Sequence, residues 1–165
     1  MKKTSILLIS LLSVFTARAG NGDEHLNVST GFLFPSTLVA NVGFEHEYNY
    51  GNALEIYAEL GNHWQSDPVD GKVYKDTFWK GYYWDGGALY KKSLRRYRNS
   101  ILRARAGVQA GAYHHDFFMG AELGFEYNYV FQSGLVFSVI QKNQVNFFHG
   151  DTFRNGLLIG LKIPF

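Results

Sequence analysis

The sequence predicts an all-β protein, an eight-stranded antiparallel up-and-down transmembrane β-barrel. Three observations carry that prediction. Apolar and polar residues alternate with a period of two over most of the chain, as in strands with one apolar and one polar surrounding. Charged residues make up only 18%, against about a quarter in an ordinary soluble domain, while aromatics reach 17%. Finally, the polar faces interleave glycine with Glu and Arg, which suits a narrow closed lumen better than a solvated sheet.

The chain begins with an expected secretory leader. Lys2 and Lys3 supply a positive start, Ile6 to Phe15 an apolar run too short to span a bilayer, and Ala17-Arg18-Ala19 small residues at the two positions a signal peptidase reads. The domain reading is therefore a cleaved signal peptide over 1–19 and an outer-membrane barrel domain over 20–165. The leader holds Lys2, Lys3 and Arg18 of the 16 basic residues, so 13 remain against 14 acidic ones. The basic pI thus belongs largely to the leader, and direct nucleic-acid binding is not expected.

The strands then follow in order. Leu26, Val28, Thr30, Phe32 and Phe34 make the apolar side of the first. In the second, Leu38, Ala40, Val42, Phe44 and Tyr48 oppose Asn41, Gly43, Glu45 and Glu47. In the third, Leu54, Ile56, Ala58 and Leu60 oppose Glu55, Tyr57, Glu59 and Gly61. A fourth runs through Tyr82, Trp84, Gly86, Ala88 and Tyr90. The fifth sets Leu102, Ala104, Ala106, Val108, Ala110 and Ala112 against Arg103, Arg105, Gly107, Gln109 and Gly111. The sixth sets Met119, Ala121, Leu123, Phe125, Tyr127 and Tyr129 against Gly120, Glu122, Gly124, Glu126 and Asn128. Leu135, Phe137 and Val139 mark the seventh. The last runs from Phe153 through Leu157, Ile159, Leu161 and Ile163 to Phe165, against Arg154, Gly156, Gly160 and Lys162.

Unbroken aliphatics opposite glycine and charge describe a barrel turned inside out, with lipid outside and charge within. Glu45, Glu47, Glu55, Glu59, Glu122 and Glu126 are the expected lumen acids; Arg103, Arg105, Arg154 and Lys162 are their expected partners. Two aromatic belts are expected at the headgroup levels. One holds Trp64, Trp79, Tyr82, Tyr83, Trp84, Phe117, Phe118, Phe147 and Phe148; the other holds Tyr48, Tyr50, Tyr90, Tyr97, Tyr127 and Tyr129. Closure removes the sheet edges that lipid cannot hydrogen-bond. The location that follows is the bacterial outer membrane.

Inner turns are expected near Tyr50, Ser93 and Gln132, and outer ones near Pro35, Asp70, His115 and Phe148. The outer connection from Gln65 to Lys80 is the longest and contains the turn sequence Asp67-Pro68-Val69-Asp70-Gly71. One inner turn gathers Lys91, Lys92, Arg95, Arg96 and Arg98, a candidate surface for an acidic partner or an envelope polymer.

Little points to chemistry. The absence of cysteine excludes disulfides, thiol catalysis and Cys-ligated metals. His63, His114, His115 and His149 are expected near the outer rim, and His63 with Ser66 is the one pair similar to that of lipid A deacylases. The surrounding sequence does not match that family's histidine motif. No catalytic, cofactor or metal site is expected, and an eight-stranded interior is filled by its own side chains rather than open for diffusion. The chain is read as a non-enzyme.

From Val42 onward the chain resembles the conjugative-transposon TraO family. The resemblance rests on Leu54-Glu55-Ile56-Tyr57, Tyr74-Lys75-Asp76, Trp84-Asp85-Gly86-Gly87, Ser93 through Arg98-Asn99, and Gly107 to Tyr113. It continues through Phe118-Met119-Gly120-Ala121, Gly150-Asp151-Thr152-Phe153 and Gly156 to Phe165. The family's usual longer insertion between the fifth and sixth strands is replaced here by Ala112-Tyr113-His114-His115-Asp116. The resemblance implies an outer-membrane part of a conjugation apparatus, in contact with outer-membrane lipids and other conjugal transfer proteins, and assigns no catalytic residue. The alternative is a stand-alone small barrel for adhesion or envelope integrity, acting through the Gln65 to Lys80 loop; a lipid-modifying enzyme is a distant third.

Overall fold

The computed structural model describes residues 23–64, 81–113, 116–147 and 152–165. The leader expected over 1–19, the loop from Gln65 to Lys80 with Ser66 and Trp79, and His114, His115, Phe148 and His149 lie outside the described residues. Eight strands follow one another: β1 (Asp23–Phe34), β2 (Thr37–Tyr48), β3 (Asn52–His63), β4 (Tyr82–Tyr97), β5 (Ser100–Tyr113), β6 (Asp116–Val130), β7 (Val136–Phe147) and β8 (Phe153–Pro164). Each pairs antiparallel with the next, and β8 pairs with β1 from Asn155 against Phe34 to Pro164 against His25, so the sheet closes. Closure matters in lipid, where an unpaired strand edge has no water to bond.

The alternation has the polarity of a membrane barrel. In β3, Leu54, Ile56 and Leu60 are 52%, 54% and 66% exposed, whereas Glu55 and Glu59 are each 1% exposed. A soluble sheet would bury the first set and expose the second. The outer wall also carries Leu26, Val28, Leu38, Val42, Val108, Leu123, Phe125, Leu157, Ile159 and Leu161, all exposed. Burial of charge beneath exposure of aliphatics is stable only where the outside is apolar. The protein is a transmembrane barrel of the outer membrane.

Two strands are longer than the sequence pattern marked. β4 continues to Tyr97, so the β4–β5 turn lies at Arg98 and Asn99 rather than near Ser93. Ser93 is inside the strand, next to a register shift between Ser93 and Arg95. That bulge puts Arg95 opposite Leu102 and breaks the alternation the eye follows. β7 continues to Phe147 through Gln141-Lys142-Asn143-Gln144, a run polar on both faces and therefore without period-two contrast.

Toward its outer end the lumen mixes apolar and polar side chains, with Gln144, Asn146 and Arg154 buried beside an apolar cluster. Leu33, Val39, Tyr83, Phe118, Ile140 and Leu158 form one buried cluster, with Tyr113 packed against it. The sequence pattern puts Tyr83 and Phe118 in the outer aromatic belt. They point inward instead, their rings edge to face at 6.0 Å, because each is one residue out of phase with the outward-facing Tyr82, Trp84 and Phe117. Tyr83 lies directly opposite Gly61, and Tyr57 opposite Gly87. In both pairs the tyrosine ring lies across the cross-strand glycine, in the space a Cβ would take. The glycines thus admit large rings to a narrow lumen.

Gly61→Ala should therefore displace the Tyr83 ring and cost roughly 1–3 kcal/mol. Urea unfolding of the refolded barrel in lipid vesicles reads this; a midpoint equal to wild type would contradict the packing.

Candidate functional site

Beside and below the apolar cluster the lumen is ionic. Among the described residues, the cations Lys91, Arg103, Arg105, Lys142, Arg154 and Lys162 share it with the carboxylates Glu45, Glu47, Glu55, Glu59, Asp85, Glu122 and Glu126. The strands fix their positions. Every one occupies the inward phase of its strand, and lumen glycines leave room between them. Arg105, for example, is paired across the ladder with Gly124.

The charges form a continuous network. Lys91 Nζ, fully buried, lies 2.8 Å from Glu55 Oε2 and 2.6 Å from Glu126 Oε2, and it donates to Glu45 Oε2 at 2.5 Å. Lys162 Nζ reaches Glu45 Oε2 at 2.6 Å and Glu126 Oε1 at 2.5 Å. Arg103 donates to Glu45 Oε1 at 2.7 Å, to the Gly51 carbonyl at 2.8 Å and to Glu47. Above them Arg105 pairs with Glu122 at 2.8 Å, and Lys142 bridges Glu59 at 2.6 Å and Glu122 at 3.2 Å.

Neutral groups knit the charged layer to the cluster above it. Tyr57 Oη lies 2.9 Å from Glu122 Oε2 and 3.0 Å from Gln109 Oε1, and its ring lies under Lys142 Nζ at 5.1 Å. Tyr83 donates to Glu59 at 3.3 Å, and the Arg154 guanidinium stands 4.5 Å over its ring. Such a network tolerates burial because Lys91, Arg103, Arg105, Lys142 and Lys162 each meet two or more carboxylates.

The ten lumen charges expected from the sequence all point inward in the structure. Lys91, Lys142 and Asp85 join them. Lys91 corrects the reading of the basic turn: it belongs to the lumen, where β4 places it opposite Ala53 and Arg105, and no partner can reach it. Lys142 escaped notice because its strand shows no alternation there. Asp85 could have been found from phase alone, two residues beyond Tyr83 and six before Lys91.

The remaining basic residues are differently placed. Lys92, Arg95, Arg96 and Arg98 are all exposed on the β4–β5 hairpin, with the Arg98 guanidinium 5.4 Å over the Tyr97 ring. β4 loses its β3 partner after the Lys91–Ala53 pair, and beyond it Ser93 N–H donates to the Asn52 side chain at 3.0 Å. The hairpin projects from the end opposite the β3–β4 connection, the longest between strands. The longer connections of such barrels are extracellular, which makes this end the periplasmic one. Among the described residues these four cations make no ion pair. Beside them a vestibule of about 350 Å³ opens between Asp23, Glu47, Arg96, Arg103 and Lys162.

Two other constellations among the described residues bear on chemistry. Carboxylate oxygens of Glu45, Glu55 and Glu126 lie within 4.8 Å of one another, a spacing that would suit a metal. The Lys91 ammonium already contacts all three. His63 Nδ1 lies 3.0 Å from Thr37 Oγ1, but Thr37 is fully buried and also donates to the Pro35 carbonyl, so that hydroxyl is not presented to a substrate.

A closed eight-stranded barrel with a charged interior and an aliphatic wall defines a small outer-membrane barrel protein. Its fold is similar to that of a major outer membrane protein from Thermus thermophilus, at TM-score 0.59 and 10% identity, over 87% of this chain and 99% of that one. It is likewise similar to the Yersinia pestis outer membrane protein Ail, whose backbone structure is in a phospholipid bilayer nanodisc, at TM-score 0.56 and 12% identity, over 88% and 100% of the two chains. At these identities the likeness is one of fold. No protein-family model and no curated protein matches the chain.

Lys91→Met should leave Glu45, Glu55 and Glu126 short of a cation and cost about 3–5 kcal/mol. Lys92→Met, one residue away on the exposed side, should stay within about 0.5 kcal/mol of wild type. Paired denaturant titrations decide between the lumen and turn placements; equal losses would contradict the network.

Proposed function

We propose that this protein is a non-enzymatic structural barrel that anchors a conjugative DNA-transfer apparatus in the outer membrane. The observation that carries the structural part is the filled lumen. An apolar cluster with buried Gln144, Asn146 and Arg154 closes its outer part, and interlocked ion pairs close the middle. Such a barrel transports nothing by diffusion, and DNA is far too wide for it. Function is left to surfaces.

The surface best suited to a partner is the projecting hairpin. Lys92, Arg95, Arg96 and Arg98 concentrate positive charge beside an unpaired stretch of β4, on the side where a periplasm-spanning complex would meet the barrel. An acidic segment of another transfer protein has the complementary charge. The conjugative setting itself rests on the resemblance to the TraO family, carried by Leu54 to Tyr57, Trp84 to Gly87 and Gly156 to Phe165.

Two measurements test this reading. Reconstituted in a planar bilayer, the barrel should give no steady conductance; a reproducible open level would remove the structural reading. Transfer frequency from a donor lacking the gene should fall and return on complementation, and complementation with the Arg95→Ser, Arg96→Ser, Arg98→Ser triple variant should leave it low. Unchanged transfer in the deletion donor would reject the conjugative role.

A further inference from the structure

Among the described residues the middle of the membrane-facing wall is apolar except for Thr30, whose hydroxyl donates to the Val39 carbonyl at 2.8 Å, and a larger polar patch on β7 and β8. On β7 the outward positions read Phe137, Val139, Gln141, Asn143, Val145 and Phe147, so two carboxamides occupy its centre. Phe137 and Phe147 are ten residues apart. At the usual rise and tilt that spans about 25 Å along the membrane normal, the height of the apolar band. Gln141 and Asn143 therefore lie within hydrocarbon. Asn155, directly opposite Asn143 on β8, extends the patch toward the outer rim and is exposed.

The amides partly satisfy one another. Gln141 Nε2 donates to Asn143 Oδ1 at 2.9 Å, and Asn143 Nδ2 donates to the Leu123 carbonyl at 3.1 Å. Each carboxamide offers two N–H groups and two acceptor lone pairs, so most of their capacity is unused. Acyl chains cannot supply the missing partners, and unmet polar groups are costly there.

Next to the amides a groove of about 490 Å³ runs over Gly156, walled by Phe32 and Phe34 on one side and Gln141 on the other. A cleft beside a polar strip can receive a side chain from a facing surface.

We propose that this β7–β8 face is the interface for a second copy of the same chain. Carboxamides are donors and acceptors at once, so the patch is complementary to itself across a two-fold axis. The Gly156 groove of each copy would take an outward Leu or Phe of the other. A charged partner segment fits less well, since it would bring its own unpaired charge into hydrocarbon.

The test uses the absence of cysteine from the chain. Val145→Cys places a thiol on β7 beside the patch, and Ile56→Cys places one on β3, across the barrel. Oxidation in native membranes should give a disulfide-linked dimer of the first protein and not of the second. Adding Gln141→Leu and Asn143→Leu should lower the cross-linked fraction about tenfold, the effect of losing two modest hydrogen-bonding contributions in a membrane. Heat-modifiable gel mobility checks that each variant is folded, which the apolar replacements should favour. No dimer from Val145→Cys, equal dimer from both positions, cross-linking to a protein of different mass, or a fraction unaffected by the leucines would each overturn the proposal.

Discussion

The structure depends on one arrangement: the Lys91 ammonium held among Glu45, Glu55 and Glu126, with Lys162 and Arg103 closing Glu45 and Glu126 from other strands. Eight strands leave a lumen too narrow for bulk water and too wide to be left empty. Filling it entirely with aliphatics would make both faces of each strand apolar and erase the contrast that sets register. Filling it with charge of one sign would be prohibitive. Alternating cations and carboxylates from strands far apart in sequence solve both problems. The same contacts tie β2 to β4, β5 and β8, whereas backbone pairing ties each strand only to its neighbours.

From this arrangement the functional character follows. The middle of the lumen is occupied by its own side chains, and an open vestibule of about 350 Å³ lies at the hairpin end. Among the described residues two surfaces stand out: the basic hairpin at one end and the wall. The hairpin and the wall depart from their surroundings in opposite senses. One gathers charge where β4 outruns its neighbour; the other places amides where the bilayer demands apolar groups.

The sequence made the fold legible because membrane strands carry the strongest form of period-two contrast. β2, β3, β5 and β6 read directly, and their phase placed Glu45, Glu55, Glu59, Arg103, Arg105, Glu122 and Glu126 inside. Legibility failed where contrast failed. Gln141 to Gln144 is polar on both faces, which hid Lys142 in the lumen and the amides on the wall. Lys91 and Lys92 look equivalent when the turn is read by composition, yet adjacent residues of a strand face opposite sides, and continuing the phase of Tyr82 to Tyr90 puts Lys91 inside and Lys92 outside. The apolar cluster was hidden for the complementary reason. Leu33, Val39, Ile140 and Leu158 each neighbour an outward apolar residue, so nothing in composition separates the two faces there.

The most direct test of this account is which side chains touch lipid. In a nanodisc with isotope-labelled protein, magnetisation transfer from acyl methylenes should reach Leu54, Ile56, Leu60 and Ile159, and should not reach Leu89, Ile140 or Leu158, which are equally apolar but buried. Acyl contacts to the second set, or to neither, would contradict the inside-out barrel on which the rest depends.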